Sequence, residues 1–204
     1  MTDGQIVYVV DDDAAVRESL SWLLRSVGLQ VEPFDSGVAF FDYLQREGCN
    51  GCAVLDVRMP GLSGLELQER LVAENITLPL IVITGHGDVP MAVRAIKAGA
   101  FDFIEKPFND QLLLDRVQQA LKQNAQHREE EEKRQEVETR LHNLTPRERE
   151  VMALVVVGNP NKAIAAQLGI SCRTVEIHRG RVMEKMQAGS LSELVRLGVS
   201  SGLF

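Results

Sequence analysis

IVYVVDDD, residues 6–13, sets an uninterrupted apolar run against three successive carboxylates. Polar alternation is missing from Ile6 to Val10, so the segment reads as a strand covered on both faces, as in a parallel sheet. CAVL (52–55), LIVI (80–83) and FDFI (101–104) repeat the theme further along. QVEPF (30–34) is weaker, and Pro33, which has no N–H to give a ladder, assigns it to a sheet edge. Helical patterns fill the intervals at 14–27, 37–45, 63–74, 91–98 and 110–121. Strand and helix alternating five times predict an α/β fold, a doubly wound (βα)5 parallel sheet.

The residues just past each strand carry the chemistry. The first strand runs into Asp11-Asp12-Asp13, the third into Asp56, the fourth into Thr84-Gly85 and the fifth into Glu105-Lys106-Pro107. Open α/β sheets bind ligands beyond the carboxyl ends of their strands, so acidic groups, a hydroxyl and an ammonium are expected to converge there. Clustered carboxylates repel one another, and a hard cation removes the conflict. Mg²⁺ suits one or two carboxylates, retained waters and a shared phosphate oxygen, which Asp11, Asp12 and Asp56 could supply. One carboxylate is then free to act as a nucleophile and form an aspartyl phosphate, with Lys106 and Thr84 as counter-charge and hydrogen-bond donor. Asp13, just before a helix, reads as an N-cap instead.

VVDDD (9–13), LDVRMPGLSGLEL (55–67), VITGHGD (82–88) and AIKAGAFDFIEKPF (95–108) together resemble the receiver domain of two-component response regulators. The resemblance implies Asp56 as phosphoacceptor, Asp11 and Asp12 as the Mg²⁺-holding pair, and the backbone carbonyl of Arg58 as a further ligand. It also implies Thr84 and Lys106 as phosphate sensors, Phe103 as the switch aromatic, and a cis Lys106–Pro107 bond. A metal-dependent phosphatase is the rival reading, but Asp11-Asp12-Asp13-Ala14-Ala15 fails the D-x-D-x-[TV] pattern of the haloacid-dehalogenase type at its last position. No Walker A motif is present, so the phosphate is expected from a separate kinase. His86 reads as a solvated loop residue, since an ordinary aspartate needs no general base at neutral pH.

Charge divides the chain. Residues 1–121 hold nine basic and 18 acidic side chains, a formal −9, whereas residues 145–204 hold eight and five, a formal +3. Between them, 122–144 is nearly neutral, lacks glycine and proline, and is rich in helix formers. The expected organisation is a receiver over 1–121, a mostly solvated helical linker over 122–141, and a second domain over 142–204. Only the back is suited electrostatically to a polyanion. At 45% hydrophobic and 25% charged, the composition excludes a mostly disordered chain. No apolar stretch is long enough to cross a membrane, and no basic region precedes the first apolar run, so the expected address is the cytoplasm with no membrane partner. Cys49 and Cys52 read as a loop residue and a buried strand residue rather than a redox or metal pair.

Thr145-Pro146-Arg147-Glu148 opens a helix with N-cap, Pro at the first position and a capping box. A helix over 161–168 stopped by Gly169, a longer one capped by Ser171, and a last one over 190–199 predict a small all-α helix-turn-helix domain. At 100° per residue, Val175, Val182 and Met186 share the buried face of the longer helix. Arg173, Ile177, Gly180 and Arg181 fall opposite, flanked by Thr174, Glu176 and Glu184. An exposed Ile177 between two arginines suits a major groove, where it could touch a thymine methyl. Lys162, Thr174 and His178 are placed to reach phosphates. Arg179 points nominally inward, so its stem must snorkel or the helical phase is slightly shifted.

LTPREREVMALVVVGNPNKAIAAQLGIS (144–171) and TVEIHRGRVMEKM (174–186) resemble the LuxR-type DNA-binding domain. The two resemblances together imply a transcriptional activator switched by a sensor histidine kinase, forming a homodimer when phosphorylated and bringing RNA polymerase to double-stranded promoter DNA. HGDVPMAV (86–93) and FIEKPF (103–108) resemble regulators of nitrogen fixation, which implies nitrogen-fixation promoters and the haem-containing oxygen sensor FixL as donor. Similar regulators govern aromatic-compound breakdown, the alternative pathway.

Overall fold

The computed structural model describes residues 4–85 and 89–200, which form two compact units, 1–127 and 128–204. His86 lies outside the described residues.

The first unit alternates strictly: β1 (Ile6–Val10), α1 (Ala14–Ser26), β2 (Gln30–Phe34), α2 (Gly37–Glu47), β3 (Gly51–Asp56), α3 (Gly64–Ala73), β4 (Leu80–Thr84), α4 (Val89–Lys97), β5 (Asp102–Glu105) and the first part of α5 (Asp110–His142), which runs on into the second unit. All strand pairs are parallel, in the order β2-β1-β3-β4-β5. Every residue of β3 is buried, whereas β2, carrying Pro33, lies at the edge and is half exposed. Strand side chains alternate between two cores. Val7, Val9, Cys52, Val54, Ile81 and Ile83 pack against Leu20 and Leu24 of α1 and Leu113, Val117 and Leu121 of α5. Tyr8, Val10, Ala53 and Leu55 face Phe40, Phe41 and Leu44 of α2 and Leu67 and Leu71 of α3. A smaller cluster gathers Val57, Leu65, Val82, Ala95 and Ala100, with Met91 and Phe103 packed against it. Strand order reverses between β1 and β3, which opens the crevice at their carboxyl ends.

Helix α5 is one element from Asp110 to His142, so the helical linker continues the last helix of the first unit, as the absence of glycine and proline over 122–144 predicts. Asn124, inside the expected linker, is only 3% exposed. Its Oδ1 accepts from Gly51 N–H at 3.0 Å and from Gln5 Nε2 at 3.5 Å, which ties the helix to the start of the sheet.

In the second unit α6 (Pro146–Val156), α7 (Asn161–Leu168), α8 (Cys172–Lys185) and α9 (Leu191–Ser200) enclose Val151, Met152, Val155, Ile164, Val175, Val182, Met186 and Leu194. Val137, Leu141 and Leu144 join this core rather than forming a solvated face. Their spacing is one helical stripe, too short to stand out in so charged a segment. Among the described residues no helix is long and apolar enough to cross a membrane. Cys49 is half-buried and Cys52 buried, and neither is in a disulfide.

Candidate functional site

The carboxyl ends of β1 and β3 bring Asp11 and Asp56 together, and both are buried. Lys106, just past β5, places its Nζ 2.9 Å from Asp11 Oδ2 and 2.8 Å from Asp56 Oδ1. Asp56 Oδ2 accepts from the Arg58 N–H at 2.6 Å, and Asp11 Oδ1 from the Asp13 N–H at 2.9 Å. Burial raises the Asp11 carboxyl above the ordinary aspartate value, and the hydrogen bond and charge of Lys106 offset only part of that. Burial acts to lower Lys106, but its hydrogen bonds and ion pairs with Asp56 and Asp11 outweigh it, leaving the ammonium raised. The lysine therefore holds its proton firmly between two carboxylates that water cannot fully solvate.

The carboxylates differ in burial. Asp12 is exposed, because successive residues leaving a strand point to opposite sides, and Asp13 caps α1 through hydrogen bonds to the N–H groups of Ala15 and Val16. Among the described residues no group of three His, Cys, Asp or Glu side chains is disposed to hold a metal ion. The donor set still fits Mg²⁺, which needs only one or two carboxylates beside waters and carbonyls. An ammonium bridging Asp11 and Asp56 shows that the crevice concentrates negative charge that a cation neutralises.

Thr84 ends β4 fully buried, and its carbonyl accepts from the Lys106 N–H at 2.7 Å. The Lys106–Pro107 bond is cis. Phe103 is half-buried against the Val57, Leu65, Val82 and Ala95 cluster. Sequence reasoning passed over two residues here. Arg17 donates to the Asp11 carbonyl at 2.7 Å, a contact with no signature in the spacing. Gly64 lies so close to the loop after β3 that a Cβ would sit 2.3 Å from the Asp56 carbonyl oxygen. Its place in a motif was visible, but the reason for a glycine was not.

In the second unit Gly169 adopts the left-handed conformation, φ 65°, between α7 and α8, and Ser171 caps α8 through the Thr174 N–H. Lys162, Arg173, Glu176, Ile177 and Arg181 are exposed; Thr174 and His178 are half-buried. Ile177, 49% exposed on a helix of otherwise polar outward residues, is the one large apolar group on that face. Thr174 Oγ1 is already hydrogen-bonded to Ser171 Oγ at 2.8 Å, and the His178 Nδ1 is buried without a hydrogen-bond partner. Arg179 does snorkel: its Nη1 reaches Asn161 Oδ1 at 2.6 Å, tying α8 to the first residue of α7. At the base of the unit the Glu148 capping box is shared by Lys185, whose Nζ lies 2.7 Å from Glu148 Oε2.

The response regulator receiver domain family matches residues 7–118, and the luxR family of bacterial regulatory proteins matches residues 142–198. Transcriptional regulatory protein FixJ of Bradyrhizobium diazoefficiens is 48% identical over 203 residues, covering 100% of this chain and 98% of that protein. Response regulator protein TmoT of Ectopseudomonas mendocina is 45% identical over 192 residues, covering 94% of this chain and 87% of that protein. Among solved structures, that of response regulator StyR superimposes with a TM-score of 0.87 at 48% identity, covering 95% and 97% of the two chains.

Proposed function

The chain belongs to the two-component response regulators that carry a luxR-type DNA-binding domain, and from that membership we propose that Asp56 is the phosphoacceptor through which a sensor histidine kinase controls promoter binding. The protein is a transcriptional regulator, not an enzyme. The observation that carries the assignment of Asp56 is the Lys106 ammonium seated between Asp11 and Asp56 at the ends of the two central strands.

An Asp56 carboxylate oxygen attacks the phosphorus of the kinase phosphohistidine; the P–N bond breaks and an aspartyl phosphate forms. Asp11, Asp12, Asp56 and the Arg58 backbone carbonyl are the groups that would hold Mg²⁺, which when bound supplies positive charge against the phosphoryl oxygens. The phosphoryl group adds about two negative charges. Lys106 exchanges a carboxylate partner for a phosphoryl oxygen, and the Thr84 hydroxyl donates to another. As Thr84 moves, Phe103 turns into the space it leaves. The surface of α4 and β5 then favours a homodimer, which presents two α8 helices to a two-fold DNA site and recruits RNA polymerase. In each α8, Arg173, Ile177 and Arg181 meet base edges with Glu176 beside them, while Lys162, Thr174 and His178 reach phosphates. This chemistry belongs in the cytoplasm, with the kinase and the DNA.

The regulated genes are those of nitrogen fixation and the donor is the oxygen sensor FixL, a reading supported by the likeness of residues 86–93 and 103–108 to such regulators and by the match to FixJ. Control of aromatic-compound breakdown by the same mechanism is told apart by which promoter fragment is retarded. The test of mechanism is a gel shift with and without acetyl phosphate plus Mg²⁺, on the wild type and Asp56→Asn. Tighter binding is expected only for the phosphorylated wild type. Equal affinity in all four samples overturns the proposal.

A further inference from the structure

Helix α4 is lightly held. Ala95 is its one fully buried residue, while Val89, Val93 and Ile96 are 77%, 46% and 48% exposed. Its C-terminal end is closed in the Schellman manner, with Gly99 N–H on the Ile96 carbonyl and Ala100 N–H on the Ala95 carbonyl, both at 3.0 Å. Into this closure comes a third group. Gln68 of α3, only 1% exposed, donates its Nε2 to the Ala95 carbonyl at 2.9 Å. The bond fixes the amide's orientation, since a flipped amide would set two oxygens against each other. It leaves Gln68 Oε1 buried with no hydrogen-bond partner.

A Leu or Met would fill the same space without stranding an acceptor, so this amide is a costly way to pack α3. What it adds is a directional link between α3 and α4. That link lies beside the cluster of Leu65, Ala95, Met91 and Phe103, where the switch aromatic meets α4. The neighbouring Glu69–Arg94 ion pair, 2.7 Å long, joins the same two helices, but its side chains are 52% and 58% exposed and weakly coupled.

We propose that Gln68 is a positioning residue that pins the C-terminal end of α4 in the resting receiver, so that activation must break its bond to Ala95. This rests on the phosphorylation reading above for its consequence, though not for its geometry. The pin biases the equilibrium toward the resting form. Because the Ala95 carbonyl keeps its bond from Ala100, cutting the pin strands no group, and the variant is expected to fold.

The experiment compares Gln68→Met with the wild type, both as full chains. Without phosphate donor, amide exchange at Gly99 and Ala100 is expected to speed up about two- to tenfold, with Val82 of β4 and Val151 of α6 unchanged. Promoter affinity without phosphate donor rises by the same about two- to tenfold, and with acetyl phosphate plus Mg²⁺ it equals the wild type. Glu69→Ala, as control, changes neither reading. Unchanged exchange at Gly99 and Ala100 overturns the pin. So does faster exchange that reaches Val82, or faster exchange with unaltered basal affinity. If the wild type gains no affinity from acetyl phosphate, the phosphorylation reading fails, and the exchange data alone decide for or against the pin.

Discussion

Asp11 and Glu148 are both buried carboxylates, and their surroundings push them in opposite directions. Asp11 is raised by burial, so the folded state favours its protonated form; that contribution is full at low pH and lost as pH rises through the folded value. At neutral pH its charge is therefore held at a cost, and Asp11→Asn is expected to raise the receiver's calorimetric Tm by roughly several degrees while abolishing the response to acetyl phosphate. An unchanged or lower Tm would mean that the Lys106 pair outweighs desolvation. Glu148 is lowered from 4.5 to about 2, first by the Lys185 hydrogen bond, against burial, and then by its bonds with Thr145. A depressed carboxylate stabilises the fold above its unfolded value and loses that contribution as pH falls from 4.5 towards about 2. Glu148→Gln should cost about 2–3 kcal/mol at pH 7, with the gap to wild type closing over that acid range. Amide protection of Val151 and Met152 in α6 reports it; a gap independent of pH would remove the ionic explanation. The capping box was legible from Thr145 and Glu148 alone. Lys185, 37 residues further on, was not, because nothing local says which charge will fold back onto a cap.

Elements were legible where one physical signal dominated. Continuous apolar runs marked the covered strands, Pro33 marked the edge, and Asp13, Ser171 and Thr145 marked helix starts, since each is a local property of the chain. The acidic crevice followed from which residues end which strands. Contacts made across elements did not follow: the Arg179–Asn161 tie, the Asn124 bond to Gly51 and the tight fit of Gly64 all depend on packing. The junction of β3 and α3 makes the last of these testable. Gly64→Ala would force a Cβ against the Asp56 carbonyl, so the 56–58 backbone must shift, with a loss of about 2 kcal/mol or more and acetyl-phosphate labelling of Asp56 slowed at least about tenfold. Labelling at the wild-type rate would show that the loop yields elsewhere. In the helix-turn-helix, Arg179→Ala frees α8 from α7 without removing a DNA contact. A loss of about threefold to thirtyfold in promoter affinity, with Asp56 labelling intact, is expected in the gel shift. Full affinity would leave the tie with no part in presenting α8.

At the scale of the whole molecule, what matters is charge and number. Residues 1–121 carry a formal −9 and residues 145–204 a formal +3, so the basic side chains suited to displace counterions from DNA are those of 145–204. Phosphorylation makes the front more negative still, which by simple electrostatics should weaken binding to a polyanion. The proposed homodimer meets this by bringing two DNA-binding units to one site, rather than by improving the charge of either. The two accounts differ in a measurable slope. Each phosphate neutralised contributes about −0.9 to the dependence of log K on log salt, so two units per site should about double the slope of the phosphorylated form relative to the resting one. Asp56→Asn should keep the shallow slope with or without acetyl phosphate. If phosphorylated and resting proteins share one slope while differing in affinity, each site takes up the same number of units in both states. The gain would then have to arise within a single α8, and the homodimer would have no place in the mechanism.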